Sequence, residues 1–242
     1  MLHTLREYGG KLGGEPGFKS REVRWCIHLS EAGNLLNIVP LGDGRSGIQV
    51  ERCPDMHAMN SGGKAHFLVE TAQTIARHFK PDETPEKIAS GEGRHHFYVA
   101  MLTQAAHEII SLQAAATLLA DTAAREALRL MMVEKRVKPA DWVTWQIGQS
   151  DPCAQADVQA WWRAWRHRDL PGNDGNTPTN MAGRMVCLLT GEPVQPLLTQ
   201  PKVTGLAGVG GLAMGDVVVG FDKAAFRSFG LEKSSNAAMG AV

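Results

Sequence analysis

The sequence has few of the features that mark membrane, metal-binding or disulfide-rich proteins. Its apolar runs stay well short of the about 18 to 20 residues that a membrane helix needs, so we expect a soluble, cytoplasmic protein with no membrane partner. Its four cysteines form no C-x-x-C pair, have no histidine at metal-ligand spacing and follow no secretory signal. We therefore expect reduced thiols and no metal site.

An excess of charge of one sign is also missing. Lys and Arg together number 25, as do Asp and Glu, so the formal net charge is zero. A chain of this charge has no overall basic field to attract nucleic acid. Any nucleic-acid contact would depend on locally clustered cations.

Common catalytic motifs are absent from the sequence as well. It contains no H-E-x-x-H, no G-x-S-x-G and no pair of carboxylates in a catalytic pattern. The segment at 61–65 lacks the spacing and the Mg²⁺-binding hydroxyl of a nucleotide P-loop. His95 and His96 are adjacent on a predicted helix and point about 100° apart, so they are poorly placed to share one ion. We predict a protein that is not an enzyme and has no cofactor.

Alternating apolar residues predict several strands. The alternation over 23–29 and the apolar run over 35–41 predict a β-hairpin that turns at 31–34. A third strand is predicted over 48–53, and another over 142–147.

Helical patterns fill much of the remaining chain. The first follows a glycine loop, has Leu68, Ala72, Ile75, Ala76 and Phe79 on one face, and is expected to stop at Pro81. Three more helices are predicted over 1–8, 95–119 and 123–135. A short helical turn is predicted to begin at Thr84-Pro85 and to end by Gly91.

The order of these elements predicts an α+β fold, with mixed or antiparallel sheet elements and a central helical section. We expect an amino-terminal α+β domain over 1–169 with its helical section at 66–136, and a polar linker over 170–182. The last region, 183–242, is expected to be a Gly/Pro-rich loop and strand region that packs back on the domain, with a strand over 217–221.

One amphipathic helix carries three tryptophans on a single face. Val158, Trp161, Trp162 and Trp165 recur at helical spacing, which favours burial in the core or against a partner helix over exposed stacking platforms for nucleic acid. The cationic residues on the other faces are either solvated or directed at phosphates: Arg163, Arg166, His167 and Arg168.

Two glycine-containing segments are candidate binding sites. The loop at Ser61, Gly62, Gly63 and Lys64 places backbone amides and a lysine at an expected helix start, which suits one phosphate, although a solvated loop lysine gives the same pattern. The segment 191–215 is rich in Gly and Pro and has Lys202 as its only basic residue. It is either a mobile surface loop or a segment that brings its backbone close to a partner.

Several motifs recur in the order of a known family. They are MLHTLREYG, VRWCIHLSEAGNLLNIVPL, NSGGKAHFLVETAQTIA, WVTWQI with VQAWWRAW, CLLTGEPVQPLLTQPKVTG and VVGFDKAAFRSFGLEKSSNAA. Along nearly the whole chain, they resemble the amino-terminal part of Cas8c, also called Csd1, the large subunit of the type I-C CRISPR effector complex, Cascade. Family members are about twice this length or more, so the resemblance implies a truncated gene product, an isolated domain or a shortened variant.

The resemblance implies a DNA-binding subunit of an RNA-guided antiviral complex. Its expected roles are recognition of the protospacer-adjacent motif (PAM) in duplex DNA, help in forming the R-loop, and recruitment of the Cas3 nuclease-helicase. The implied partners are the Cas5 and Cas7 subunits, CRISPR RNA and target double-stranded DNA. A second hypothesis is a scaffold that binds Cas5 and the 5′ handle of the guide RNA through the tryptophan helix without reading DNA.

Residues matching the family motifs give the expected DNA contacts. The first group is Asn60, Ser61, Gly62, Gly63 and Lys64, where Ala65 replaces the family's Pro. The second group is Lys202, which follows Gln200-Pro201 where the family has His-Pro, together with Gly215 and Asn236. The element around Gly215 departs most from the family pattern, since Asp222 stands where the family has Asn.

Overall fold

A computed structural model describes most of the chain, in two compact units. It leaves out residues 1–3, 5–6, 8–14, 16, 44–45, 57–62, 170–184, 195, 197–201, 204–205, 218, 222, 228–229, 232 and 240–242. One unit is Gly17–Ala164, and the other combines Met1–Pro16 with Trp165–Val242. The predicted linker and most of the predicted amino-terminal helix lie outside the described residues.

The Gly17–Ala164 unit is built on a mixed four-stranded sheet, which confirms the predicted α+β class. Its strands are β2 (Trp25–Leu29), β3 (Leu35–Pro40), β5 (Glu70–Thr71) and β6 (Trp142–Ile147), in the order β3-β2-β6-β5. The hairpin of β2 and β3 and the later strand β6 are confirmed. Because β6 runs parallel to β2, the intervening helical section makes the crossover between them.

A second, two-stranded sheet lies in the same unit. The strand expected near residue 48 is confirmed as β4 (Ile48–Pro54), and its antiparallel partner is a strand that the alternation did not reveal, β1 (Phe18–Val23). In β1 only Phe18 and Val23 are buried, while the residues between them are exposed or half-buried. The middle of β1 therefore lacks the apolar alternation that marks a strand in a sequence.

The helical section differs from its predicted boundaries. Helix α1 (Ala72–Ala76) is five residues long and ends where Arg77 has a left-handed backbone (φ 53°), four residues before Pro81. Helix α2 (Pro85–Glu108) begins at Thr84-Pro85 as predicted but continues through Gly91 for 24 residues, so the expected stop at Gly91 is wrong.

The predicted helix over 95–119 is divided between two helices. Ile109 interrupts it with an extended backbone (φ −118°, ψ 102°), and α3 (Gln113–Ala120) follows. Helix α4 (Thr122–Glu134) is close to its prediction, and the Asp121 side chain caps it by accepting a hydrogen bond from the Ala124 amide.

Buried aromatic side chains join the sheet to the helices. Trp145 of β6 donates a hydrogen bond from Nε1 to Tyr98 Oη of α2 (2.7 Å), and Tyr98 donates in turn to the Leu68 carbonyl (3.3 Å). Trp145 and Tyr98 are both almost fully buried. This pairing satisfies the polar ends of two large side chains inside the core.

The other unit contains helix α5 (Ala156–Asp169) from Trp165 onward and two short antiparallel ribbons. The first pairs β7 (Met185–Val186) with β8 (Pro193–Val194), and the second pairs β9 (Lys202–Val203) with β10 (Asp216–Val217). Of the strand expected over 217–221, Val217 belongs to β10, which starts one residue earlier, and residues 219–221 are not in a strand. Residue 218 lies outside the described residues. Among the described residues, no helix combines the length and the apolar character needed to span a membrane.

Candidate nucleic-acid interface

The first candidate loop ends at Gly63 and Lys64. Asn60, Ser61 and Gly62 lie outside the described residues. Gly63 has a left-handed backbone (φ 87°), and a Cβ added to it would meet nothing within 4 Å. Lys64 is half-buried, and the four residues that follow it are buried. Lys64 therefore lies between Gly63, which has open space around it, and a buried segment of the chain.

A buried ionic cluster anchors both ends of this loop. Asp55, just before the loop, lies 2.5 Å from Arg21 Nη2 of β1 and 2.8 Å from His66 Nδ1, just after it. His66 Nδ1 also lies 3.1 Å from the Met56 amide nitrogen. The Asp55 and His66 side chains are each 5% exposed. The cluster thus joins Asp55 and Met56, before residue 57, to His66, two residues after Lys64.

Two further contacts hold this cluster against the sheet. The guanidinium of Arg21 stacks on the Trp142 ring at 4.2 Å, and the backbone amide of His66 donates to Glu70 Oε2 (2.9 Å). An arginine over an indole face is stabilised by a cation–π interaction. The cluster leaves little of its own charge for a ligand, since Arg21 and Asp55 neutralise each other.

The expected helix start at Lys64 is wrong. Helix α1 begins at Ala72, and the chain between Lys64 and Glu70 forms bends, with Leu68 in a left-handed backbone (φ 61°). A helix of one turn and a half, eight residues further along, contributes no dipole to a ligand at Lys64. A phosphate at this loop would depend on Lys64 and on backbone amides alone.

Lys202 and Gly215 lie together on the β9–β10 ribbon. Lys202 is exposed on β9 and opposite Val217, while Gly215 immediately precedes β10. Gly215 is buried, has a left-handed backbone (φ 86°) and donates its amide to the Leu212 carbonyl (2.9 Å). In this ribbon, Lys202 therefore offers an accessible charge, whereas Gly215 shapes the turn.

The loop that closes this ribbon exposes apolar side chains, a feature that the sequence reading missed. The relative exposure is 83% for Val209, 65% for Leu212 and 82% for Met214. Asp216 Oδ2 accepts a hydrogen bond from the Leu212 amide (3.0 Å), which holds the loop against β10. A run of apolar residues between glycines was the available signal, but composition alone could not tell exposure from burial.

Asn236 lies elsewhere in the same unit. It belongs to a 3₁₀ turn (Lys233–Ala237) and donates from Nδ2 to the Lys233 carbonyl (3.0 Å). Two residues later, the Ala238 carbonyl accepts a hydrogen bond from the Leu188 amide (2.9 Å), at the turn of the β7–β8 ribbon. The element around Asn236 therefore meets the turn that carries Thr190, Gly191 and Glu192.

The tryptophan face of α5 is buried, as its spacing favoured. Trp162 Nε1 donates to the Gly17 carbonyl (2.6 Å), and Trp161 Nε1 donates to Glu108 Oε1 (3.1 Å). Phe67 contacts both of these rings, with centroids 5.0 Å and 5.8 Å away. Trp165 is buried too, so none of the three indoles is available as a stacking platform.

The adjacent histidines do not form a ligand pair. His95 is buried with Nδ1 2.9 Å from the Thr74 carbonyl oxygen, and burial lowers its pKa, whereas His96 is exposed. Within the described parts of the chain, no group of three His, Cys, Asp or Glu side chains is arranged to hold a metal ion.

One comparison with known proteins gives a match. The model of the CRISPR-associated protein family Cas_Csd1 matches residues 4–242. A search of curated proteins returns no match.

Proposed function

The chain belongs to the CRISPR-associated Csd1 family, and from that membership we propose that it is a non-catalytic, DNA-binding subunit of a type I-C-like Cascade. In this complex it recognises the protospacer-adjacent motif in duplex DNA, aids R-loop formation and helps to recruit Cas3. Its partners there are Cas5, Cas7, the CRISPR RNA and the target duplex. The family match over almost the whole chain is the observation that carries this proposal.

Two lysines support the DNA-binding part of the proposal. Lys64 follows Gly63, which has an open left-handed backbone, and lies two residues before the buried His66 that contacts Asp55. Lys202 is exposed at the base of the β9–β10 ribbon. Guide-directed complexes leave most sequence recognition to base pairing, so a few such contacts to backbone and groove are sufficient.

The apolar loop between β9 and β10 supports a role in duplex opening. Leu212 and Met214 are exposed in the segment that joins β9, which carries Lys202, to β10, so one ribbon presents both a cation and apolar side chains. Proteins that bend or unstack DNA insert side chains of this kind between base steps and offset the cost of unstacking with new contacts. We assign this role to the loop as part of the same proposal.

Target binding by an assembled complex tests the lysine assignment. Complexes carrying Lys64→Ala, Lys202→Ala or both are compared with the unchanged complex on targets with the preferred motif and with a scrambled one. Loss of a phosphate contact weakens binding and lowers the salt slope by about one, whereas loss of a base contact also relaxes motif preference. Lys80→Ala and Lys223→Ala remove exposed charges elsewhere and serve as controls. Unchanged affinity and motif preference in the double variant would remove Lys64 and Lys202 from the site.

A scaffold that binds Cas5 and the RNA handle is the second candidate. Its predicted surface, the tryptophan face of α5, is buried and cannot serve. The β7–β8 ribbon, however, exposes Val186 (65%) and Leu188 (63%), and this favours a protein contact. Co-purification with Cas5, combined with equal binding of targets with and without the motif, would favour the scaffold.

A further inference from the structure

Two neighbouring pockets form a groove on the Gly17–Ala164 unit, and Arg21, which lines one of them, also belongs to the ionic cluster of Asp55 and His66. One has a volume of about 400 Å³ and the other of about 350 Å³. They share Arg24 and Asp141, and we call the pair the Arg24 groove. Its lining includes Lys19, Arg21, Trp142, Trp25, Arg136 and Lys138.

Asp141 organises the centre of the Arg24 groove. Its carboxylate accepts hydrogen bonds from Arg24 Nη1 (3.2 Å), from Trp25 Nε1 (3.0 Å) and from the Lys138 amide (2.9 Å). Arg24 also donates its backbone amide to the Trp142 carbonyl (3.0 Å). These bonds hold the residues at the centre of the groove in place, and Arg24 compensates the negative charge of Asp141.

Cations exceed anions along the Arg24 groove. Five of its lining side chains are Lys or Arg, against two carboxylates, Glu22 and Asp141. Lys19, Arg136 and Lys138 are exposed, and none of the three makes a side-chain ion pair with another described residue. Arg21 is neutralised by Asp55, and Arg24 by Asp141, so the three exposed cations and Glu22 leave the groove with a net charge of about plus two.

Two half-buried indoles stand among these cations. Trp25 lines one pocket and Trp142 lines the other, on either side of the Arg24–Asp141 pair. Arg21 covers one face of Trp142 at 4.2 Å and fixes that ring in place. Grooves that combine cations with aromatic rings suit single strands, because the cations follow the phosphates while the rings contact bases or sugars.

We propose that the Arg24 groove binds a single-stranded nucleic acid through its phosphodiester backbone. Lys19, Arg136 and Lys138 contact phosphates, while Trp25 and Trp142 contact bases or sugars. A duplex is disfavoured because its stacked bases cannot reach the indoles. DNA and RNA present the same phosphodiester chemistry, so the source of the strand is left to the experiment. The proposal goes beyond motif recognition, since it involves neither Lys64 nor the β9–β10 ribbon.

Binding of oligonucleotides by the isolated 242-residue chain tests this proposal. Fluorescently labelled 20-nucleotide DNA, RNA of the same sequence, and the corresponding DNA duplex are titrated at several salt concentrations, with no motif or guide present. The variant Lys19→Ala/Arg136→Ala/Lys138→Ala is expected to bind single strands about tenfold or more weakly than the unchanged chain. The slope of log affinity against log salt should fall by about two, at about 0.7 for each lost phosphate contact on a single strand.

A matched variant separates the groove from the general effect of charge. Lys80→Ala/Arg94→Ala/Lys223→Ala also removes three positive charges, outside the groove, and should leave affinity within about twofold. All the groove substitutions are at exposed positions, so we expect both variants to fold. Thermal unfolding checks this. Equal losses in the two variants, no binding by the unchanged chain, or tighter binding of the duplex would each overturn the proposal. Tighter binding of DNA or of RNA would support it and identify the source.

Photocrosslinking locates the strand independently. Oligonucleotides with 5-iodouracil should crosslink to the peptides that contain Trp25 or Trp142. The substitution Lys138→Glu should reduce these crosslinks, because it reverses one charge of the groove while leaving both rings in place. Crosslinks confined to other peptides would contradict the assignment. Since no motif and no duplex enter the assay, its outcome is separate from that of motif recognition.

Discussion

Asp55 Oδ1 lies 2.8 Å from His66 Nδ1, and this contact joins the chain just before residue 57 to the chain just after Lys64. The same carboxylate lies 2.5 Å from Arg21 Nη2. Fixing the backbone close to a binding residue lowers the conformational entropy that is lost on binding. The candidate phosphate contact therefore rests on a buried ionic cluster.

Removal of Asp55 should destabilise the Gly17–Ala164 unit. The substitution Asp55→Ala leaves Arg21 and His66 without their anion in an environment where each side chain is largely buried. We expect the free energy of unfolding to fall by about 3 kcal/mol, because loss of one partner leaves a buried charge uncompensated. Urea denaturation followed by circular dichroism measures it. Glu126→Ala, which breaks an exposed i,i+3 pair with Arg129, should lower the free energy of unfolding far less. A similar loss in both variants would contradict the buried role.

Gly91 and Gly93 should respond to alanine in opposite ways, although both lie in α2. A Cβ at Gly91 would come within 2.4 Å of Phe79 Cε1, whereas a Cβ at Gly93 meets nothing within 4 Å. Gly93→Ala should therefore raise the free energy of unfolding by about 0.5 to 1 kcal/mol through helix propensity. Gly91→Ala should lower it by about 1 kcal/mol or more through overpacking. Thermal unfolding of the two variants checks this, and stabilisation by Gly91→Ala would show that Phe79 moves aside at little cost.

Buried thiols should make the protein less stable in alkali. Burial raises the pKa of Cys53 from 9.0 to about 11 and that of Cys26 to about 12. Between about pH 9 and pH 11 the unfolded chain therefore loses protons that the folded chain keeps, and stability falls as pH rises. Each thiol contributes up to about 1.4 kcal/mol per pH unit in that range.

Denaturation at pH 8 and pH 10 measures this slope. The variant Cys53→Ala removes one buried thiol, so its free energy of unfolding should fall less between the two pH values than that of the unchanged chain. Tyrosines and lysines that titrate in the same pH range contribute equally to both slopes, so their contribution cancels in the comparison. Identical slopes would mean that Cys53 ionises alike in the folded and unfolded states.

The sequence predicted elements whose evidence is local. The β2–β3 hairpin has apolar alternation and a glycine turn within one short stretch, and it was found. Strand β1 was missed because it gains its order from β4, some thirty residues later, and not from a pattern of its own. Gly91 was misread as a stop because its small size serves packing against Phe79, a contact that depends on the fold.

The candidate site was predictable to a similar degree. Lys64 and Lys202 could be chosen from motifs, but the residues that anchor the first loop could not, because Arg21, Asp55 and His66 meet only in the folded chain. The Arg24 groove was invisible for the same reason, since its cations come from β1, from the Arg24 position and from the segment after α4. Long-range packing, rather than composition, creates both features.

The exposed loop between β9 and β10 gives the last prediction. If Leu212 and Met214 insert between base steps, the double variant Leu212→Ser/Met214→Ser should slow target opening by the assembled complex about tenfold, equivalent to about 1.4 kcal/mol. The fluorescence of 2-aminopurine beside the motif reports opening, and a target with a preformed bubble there should be bound at the unchanged rate. Ile110→Ser/Leu130→Ser removes other exposed apolar groups, from the Gly17–Ala164 unit, and should not slow opening. All four side chains are mostly exposed, so none of these substitutions removes core packing. If the double variant were also slower on the bubble target, Leu212 and Met214 would contribute to general binding and not to strand separation.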